Sequence, residues 1–325
     1  MKAIIRTEYG APEVLRLVEV EKPSPAADEV LVKVHAASIN MADRYMMHGK
    51  PLMVRLMTGG LFRPKFPRLG ADVAGEIVEV GTDVRGYRPG DAVYADLAAC
   101  GFGGYSEYVA VPEKYVARMP ANLTYEQAAA VPMAAVTALQ AVRDAEVRPG
   151  QKVLIYGASG GVGTYLLQMV KAAGGEVTAV CSTKNVEMVR SLGADHVIDY
   201  TRDDFSRDGR LYDVIFAANG DRSLADYRRA LAGGGLLVVT GGSMGQIFKA
   251  MLLGSTLGGG KKVSSLSAQP SEADLAAVAK MIEAGGVSPV IDATYPLAEI
   301  ATAMRYLEEE HPRGKVILRV NGEHG

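Results

Sequence analysis

The stretch "VLIYGASGGVGTYLLQ", residues 153–168, is an apolar run that breaks into small residues and then resumes with a different spacing. Gly157, Gly160, Gly161 and Gly163 stand between a predicted strand and a predicted helix. A plain tight turn would explain them. So would a bulky anion lying against the backbone. At the carboxyl edge of a parallel sheet, the helix that follows such a turn offers unpaired N–H groups and the positive end of its dipole. Glycines remove the Cβ atoms that would hold a pyrophosphate away, and one more lets the helix pack close to its strand. The spacing G-x-x-G-x-x-G is one residue longer in its first gap than G-x-G-x-x-G, so the turn has to be judged by its surroundings.

From Lys152 to about Leu266, strands are predicted at Val153–Tyr156, Val177–Cys181, His196–Ile198, Val214–Ala217, Leu236–Thr240 and Lys262–Leu266, with helices in several of the gaps. Short, almost wholly apolar strands alternating with helices specify a parallel sheet covered on both faces, a doubly wound α/β domain. The first third is different. "EVLVKVHAASI" and "GADVAGEIVEVGTDVRGYRPGDAVYADL" alternate apolar and polar residues between Gly and Pro, as half-buried antiparallel strands do. Helical spacing is hard to find before about Thr124, where Thr124 and Gln127 form a capping-box pattern. After Leu266, "SEADLAAVAKMIEAGG" predicts a helix capped by Ser271 and ended by Gly285, and a second helix is predicted near Leu297 to Glu309. "GKVILRV" then closes the chain as a strand that is expected to return to the first domain.

A chain of 325 residues suits two domains of roughly 100 to 200 residues each. Its 48% hydrophobic and 22% charged content is that of a soluble globular protein. A formal charge of -2 gives no basic field for nucleic acid, so a small molecule is the expected partner. Cys100 and Cys181 lie far apart, with neither a disulfide framework nor zinc-cluster spacing. The start "MKAIIRTEYG" does not read as a secretory signal, and the stretch Ala128 to Val142, interrupted by Pro132, Thr137 and Gln140, is too short to span a bilayer. The expectation is a cytoplasmic protein with no membrane partner.

If the glycine turn holds a dinucleotide, the end of the second strand selects it. An NAD site usually places an Asp or Glu there, about 20 residues beyond the glycines, to hold the ribose 2′-hydroxyl. Here the strand ends at Cys181 and is followed by Ser182, Thr183 and Lys184. A hydroxyl and an ammonium suit a 2′-phosphate, and therefore NADPH. An ordinary solvated lysine at a helix start is the alternative reading of Lys184.

The segment "GQKVLIYGASGGVGTYLLQMVK", with Ala158, Ser159, Gly160, Gly161, Val162 and Gly163 at its centre, resembles the signature of the quinone oxidoreductases in the medium-chain dehydrogenase/reductase superfamily. "PRLGADVAGEIVEVG", "GGYSEYVAVP", "AAAVPMAAVTALQAV" and "SLGADHVIDY" resemble family stretches in the expected order, so the likeness covers most of the chain. It implies a GroES-like β-rich catalytic domain over 1–122, a Rossmann NADPH-binding domain over 123–266, and a C-terminal return to the catalytic domain over 267–325. Tyr200 matches a family position beside the 2′-phosphate, with a packed ring as the alternative. Asn219 and Gly241, after the fourth and fifth strands, fall at the carboxyl edge that borders the cofactor.

The resemblance also frames the chemistry. Zinc-dependent relatives need three protein ligands for a catalytic metal, but this chain has Asn40 and no Cys in "SINMADRY", and Ala71-Asp72 in "LGADVAGEI" where those enzymes resemble Gly-His-Glu. No metal site is expected, and the five histidines have no ligand spacing, although His48 could come near the cleft. Hydride delivery to an enone or quinone spreads charge into an enolate or hydroquinone anion, which hydrogen-bond donors can stabilise without a Lewis acid. Asn40 and Tyr45 match family positions facing the nicotinamide, and Thr137 matches one lining its ribose or ring. A packed aromatic and a helix hydroxyl bonded to the preceding turn are the other readings of Tyr45 and Thr137. The long apolar and basic segment between Tyr45 and Gly70 reads as a lid, an oligomer contact or a packed excursion. The glycine-rich stretch Gly258 to Leu266 permits pairing across a homodimer. The expected activity is NADPH-dependent reduction of quinones or α,β-unsaturated carbonyls. The alternatives are a zinc-free alcohol or aldehyde reductase and a catalytically silent dinucleotide-binding protein.

Overall fold

In a computed structural model, residues 1–57, 60–219, 222–242, 245 and 256–321 are described. The chain forms two compact units: Met1–Met133 with Gln269–Glu283 and Pro289–Gly325, and Ala134–Ala268 with Ala284–Ser288.

In the first unit, Glu29–Ile39 is the central strand. It runs antiparallel to Asp72–Val80, to Tyr108–Pro112 and to Lys315–Arg319. The sheet continues outward to Ala92–Asp96 and Val116–Arg118 on one side and to Ile291–Pro296 on the other. With neighbours on both sides, this strand is buried more than the half-buried alternation predicts: only Glu29, Lys33 and His35 keep partial exposure. The helix Tyr125–Ala129 covers its second face, where the Tyr125 ring stacks on His35 at 4.3 Å. Val30, Val32, Val34, Ile77, Val93, Val111, Val316 and Leu318 form the core. Each contributes about 1.5–3 kcal/mol through burial. "GKVILRV" thus supplies a strand of this unit, pairing Val316 with Ile39 and Arg319 with Ala36.

Two helices stand where helical spacing was not found, at Met41–His48 and Leu52–Met57. The first is eight residues long and too short to display a period of its own. Its start is nonetheless written in the sequence: the Asn40 backbone N–H donates to the Asp43 carboxylate at 2.9 Å, half of a capping box, and Gly49 ends the helix at φ +59°.

In the second unit, six parallel strands lie in the order His196–Asp199, Glu176–Cys181, Lys152–Tyr156, Tyr212–Ala217, Leu231–Val239 and Lys261–Ser265. In chain order this is third, second, first, fourth, fifth and sixth, the doubly wound arrangement with its switch point between the first and fourth strands. Thr256–Gly258 adds an antiparallel edge strand. The fifth strand begins five residues before its predicted start. Its register jumps from Tyr212↔Leu231 to Val214↔Leu236, and "AGGG" between them bulges out, which hides the strand from a reading of periodicity.

The register of the first unit builds a polar row at one end of its sheet. Ser38 pairs with Asp72, Asp72 pairs with Asp96, and Lys315 falls beside Asn40, one step beyond the Val316↔Ile39 pair. Asp96 is 5% exposed. Burial, and then the Asp72 charge, push its carboxyl up to about 7. A carboxyl raised in the folded state favours folding while protonated, and that contribution is lost as pH rises from the ordinary carboxylate range towards about 7. Asp96→Asn keeps an acceptor for the Ala98 N–H, which lies 2.9 Å from the carboxylate. The substitution is expected to raise stability at about pH 8 by about 2–4 kcal/mol, with the gain shrinking towards about pH 4. Denaturant melts of both proteins across that range check this, and a gain independent of pH would contradict it.

Candidate active site

The glycine turn leaves the first strand of the second unit. Gly157 sits at φ +81°, a region closed to most side chains. A Cβ on Gly163 would come within 2.1 Å of the Gly157 carbonyl oxygen, so close packing of helix on turn demands glycine there. Gly160 is different: among the described residues its Cβ would meet only the Gly157 oxygen, at 3.6 Å. Nothing among the described residues forbids a side chain at Gly160. The open space beside it is the kind of cradle a pyrophosphate fills. Gly160 begins the helix Gly161–Ala172 with no side-chain cap, so the first-turn N–H groups, including those of Val162 and Gly163, remain available to an anion. Ala158 is fully buried beneath the turn, and Gly157, Ser159, Gly160 and Gly161 are half-buried.

Ser182 and Lys184 follow the second strand, half-buried and exposed respectively, and Tyr200 is 52% exposed after the third. Asn185, which the sequence reading passed over, connects this corner to the glycine turn. It is 3% exposed, and its Nδ2 donates to Ser159 Oγ at 2.9 Å and to Ser182 Oγ at 3.3 Å. Its Oδ1 is buried with no hydrogen-bond partner among the described residues. Also unforeseen is Asp199, at the end of the third strand. Its carboxylate accepts from the Thr183 and Thr201 hydroxyls, and the Thr183 bond holds it below the usual carboxylate range. Asn219 and Gly241 stand at the same carboxyl edge: Asn219 N–H donates to the Tyr156 carbonyl at 3.3 Å and Gly241 N–H to that of Ala217 at 3.3 Å. A Cβ on Gly157 would strike Asn219 Cβ at 2.7 Å, so these two positions adjoin. Thr137 is 8% exposed on the helix Pro132–Asp144.

In the first unit, Asn40 and Tyr45 share one helix, Asn40 at its N-cap and Tyr45 just over a turn later. Tyr45 is half-buried against the core, with the Arg44 guanidinium 5.8 Å from its ring centre. Asn40 is 8% exposed and belongs to the polar row. Its Nδ2 donates to Asp72 Oδ2 at 3.0 Å, and its Oδ1 accepts from Lys315 Nζ. Lys315 also donates to Asp72 Oδ2 at 3.1 Å, Ser38 Oγ donates to it at 2.6 Å, and the Met133 backbone N–H donates to Asp72 Oδ1 at 2.8 Å. Lys315 was read only as part of a closing strand. The signal for its place in the row was a lysine leading directly into the apolar run 316–318, where a buried ammonium needs a partner.

Among the described residues, no three His, Cys, Asp or Glu side chains converge as metal ligands. His48 pairs with Glu308, which also accepts from Arg44. The segment between Tyr45 and Gly70 turns Leu52, Met53, Leu56, Leu61 and Phe62 outward, Phe62 with 87% exposure. Residues 58 and 59 of that segment lie outside the described residues. No helix among the described residues is long and apolar enough to cross a membrane.

Residues 26–121 match the alcohol dehydrogenase GroES-like domain, and residues 192–318 match the zinc-binding dehydrogenase domain. The chain is 35% identical to a 2-methylene-furan-3-one reductase of Solanum lycopersicum, over 98% of this chain and 79% of that protein. It is 34% identical to a chloroplastic NADPH-dependent alkenal/one oxidoreductase of Arabidopsis thaliana, with the same coverage. Among solved structures, the quinone oxidoreductase from Coxiella burnetii is similar with a TM-score of 0.87 and 30% identity, covering 99% of each chain. Sheet order, glycine turn and these likenesses agree: the chain belongs to the medium-chain dehydrogenase/reductase superfamily, among its quinone oxidoreductase-like members.

Proposed function

We propose that the chain is a zinc-independent, NADPH-dependent oxidoreductase that reduces quinones or α,β-unsaturated carbonyls. The observation that carries this reading is the carboxyl-edge glycine turn, open at Gly160 and followed by Ser182 and Lys184 with no acid at the end of the second strand. The names of the relatives point the same way, one acting on a methylene-furanone and another on alkenals or alkenones with NADPH.

The residues present fit the cofactor. The N–H groups of Gly161, Val162 and Gly163 suit the pyrophosphate, and Ser182, Lys184 and Tyr200 suit the 2′-phosphate. Asn185 donates to both Ser159 and Ser182, which leaves each serine hydroxyl hydrogen free to turn towards a phosphate oxygen. Bound NADPH supplies a hydride equivalent. Zinc, in contrast, does not fit: at the positions of the zinc ligands stand Asn40 and Ala71-Asp72, and the Lys315 ammonium already occupies the oxygens of Asn40 and Asp72. Stabilisation of charge on the substrate oxygen therefore falls to hydrogen-bond donors, for which the Asn40 carboxamide and the Tyr45 hydroxyl are suited, while Thr137 of the second unit is assigned to the cofactor. A conjugated acceptor suits such a site better than a simple ketone, whose alkoxide is localised. The exposed apolar side chains from Leu52 to Phe62 act as a lid for bulky substrates. The free Cys100 and Cys181 are consistent with a reducing cytoplasm, and the edge strand Thr256–Gly258 offers a pairing surface for a homodimer.

Loss of NADPH absorbance is expected with a quinone and with an enone, unchanged after exhaustive treatment with a chelator. Turnover of a simple aldehyde alone would establish the aldehyde-reductase alternative, and tight binding without turnover the silent one. Lys184→Ala is expected to raise KM for NADPH about 10-fold or more while altering that for NADH little, since one charge-assisted hydrogen bond to phosphate is lost. Equal effects on both cofactors would place Lys184 away from the 2′-phosphate. Phe62→Ser is expected to raise KM for a long-chain enone several-fold and to spare a small one; unchanged values for both would remove the lid.

A further inference from the structure

The polar row contains a feature that the reaction above leaves unexplained. Lys315 is buried, at 4% exposure, and its Nζ donates to two side chains, Asn40 and Asp72. Asp72 is fully buried and saturated: its Oδ2 accepts from Ser38, Asn40 and Lys315, and its Oδ1 from the Met133 N–H. A carboxylate so occupied offers no free oxygen to a ligand, and the ammonium bonded to it is enclosed with it. Lys315 keeps one N–H beyond its two bonds and Asn40 keeps one as well, and of the two Asn40 is the less enclosed, at 8% exposure. Its oxygen accepts from Lys315 and one Nδ2 hydrogen goes to Asp72, while the second Nδ2 hydrogen has no partner among the described residues.

Such contacts fix which end of the carboxamide is which. A lysine can only donate, so the group facing it must be Oδ1; a carboxylate can only accept, so the group facing it must be Nδ2. Without the ammonium, the oxygen end of the carboxamide loses a donor, and the orientation is held less firmly by the bond to Asp72 at the other end. The ammonium also draws electron density through the amide from its oxygen end, which strengthens the opposite N–H as a donor. We infer that Lys315 is a positioning residue for the reduction: held by Asp72, it locks and polarises the Asn40 carboxamide so that the free Nδ2–H donates to the substrate carbonyl oxygen. This rests on the proposed role of Asn40 as a substrate donor. A protonated amine thus serves the reaction without touching substrate, at sheet positions where zinc-dependent relatives hold their metal.

The test compares Asn40→Ala, Lys315→Met/Asp72→Asn and the triple variant, in the full chain with NADPH and an enone. The double variant removes both charges together, so no buried carboxylate is left unpaired. Lys315→Met alone serves as a second variant, and thermal melting with NADPH affinity confirms that each protein is folded and loaded. The expected result is a roughly 100-fold fall in kcat for Asn40→Ala and a fall of at least about 10-fold for the double variant. KM for the enone and affinity for NADPH are expected to stay within about 3-fold, and the triple variant to be no slower than the slower of its parents. Losses that multiply in the triple variant, or a double variant with normal kcat beside a slow Asn40→Ala, would overturn the inference and leave the role of Asn40 standing. Full activity in Asn40→Ala would overturn that role and the inference with it.

Discussion

The Asp72 carboxylate is the constraint around which the first unit is arranged. Placing a charge at 0% exposure costs several kcal/mol unless its oxygens are fully engaged. Four donors do this, from Ser38 and Asn40 on one neighbouring segment, Lys315 on another, and the Met133 backbone. Satisfying one anion therefore fixes the register of three strands and the start of a helix together. A slip of one residue in any of these strands would turn its polar member to the opposite face and leave the anion short of a donor.

The second unit is organised by space instead of charge. Its first strand delivers a turn in which Gly157 supplies the backbone angle, Gly163 permits close packing, and Gly160 leaves room that the described residues do not fill. Asn185 then ties that turn to the end of the second strand, so the two are not positioned independently. Disturbing Asn185 shifts both serines at once.

How far the sequence could be read depended on the range of each signal. The six strands of the second unit are short and apolar and were legible to within a residue or two, apart from the fifth, whose glycines imitate a loop. The capping residues Thr124 and Ser271 act within three positions and were legible for that reason. The helices after Asn40 are too short for periodicity to register. Asn185 and Lys315 escaped notice for another reason: their partners lie 26 and 275 positions away, and only the closed sheets bring them together. The glycine turn was legible because local backbone geometry determines it, whereas the polar row is a product of tertiary pairing.

That separation along the chain affects how the molecule comes to be made. Lys315 emerges from the ribosome only after the entire dinucleotide-binding unit, yet Asp72 is translated long before it. Until the last strand arrives, the nascent first unit lacks both its edge partner at Glu29–Ile39 and the cation for its buried carboxylate. It therefore cannot complete its sheet vectorially. The nucleotide-binding unit, nearly contiguous in sequence, can form first and wait, and the earlier-synthesised half becomes the later-finished one.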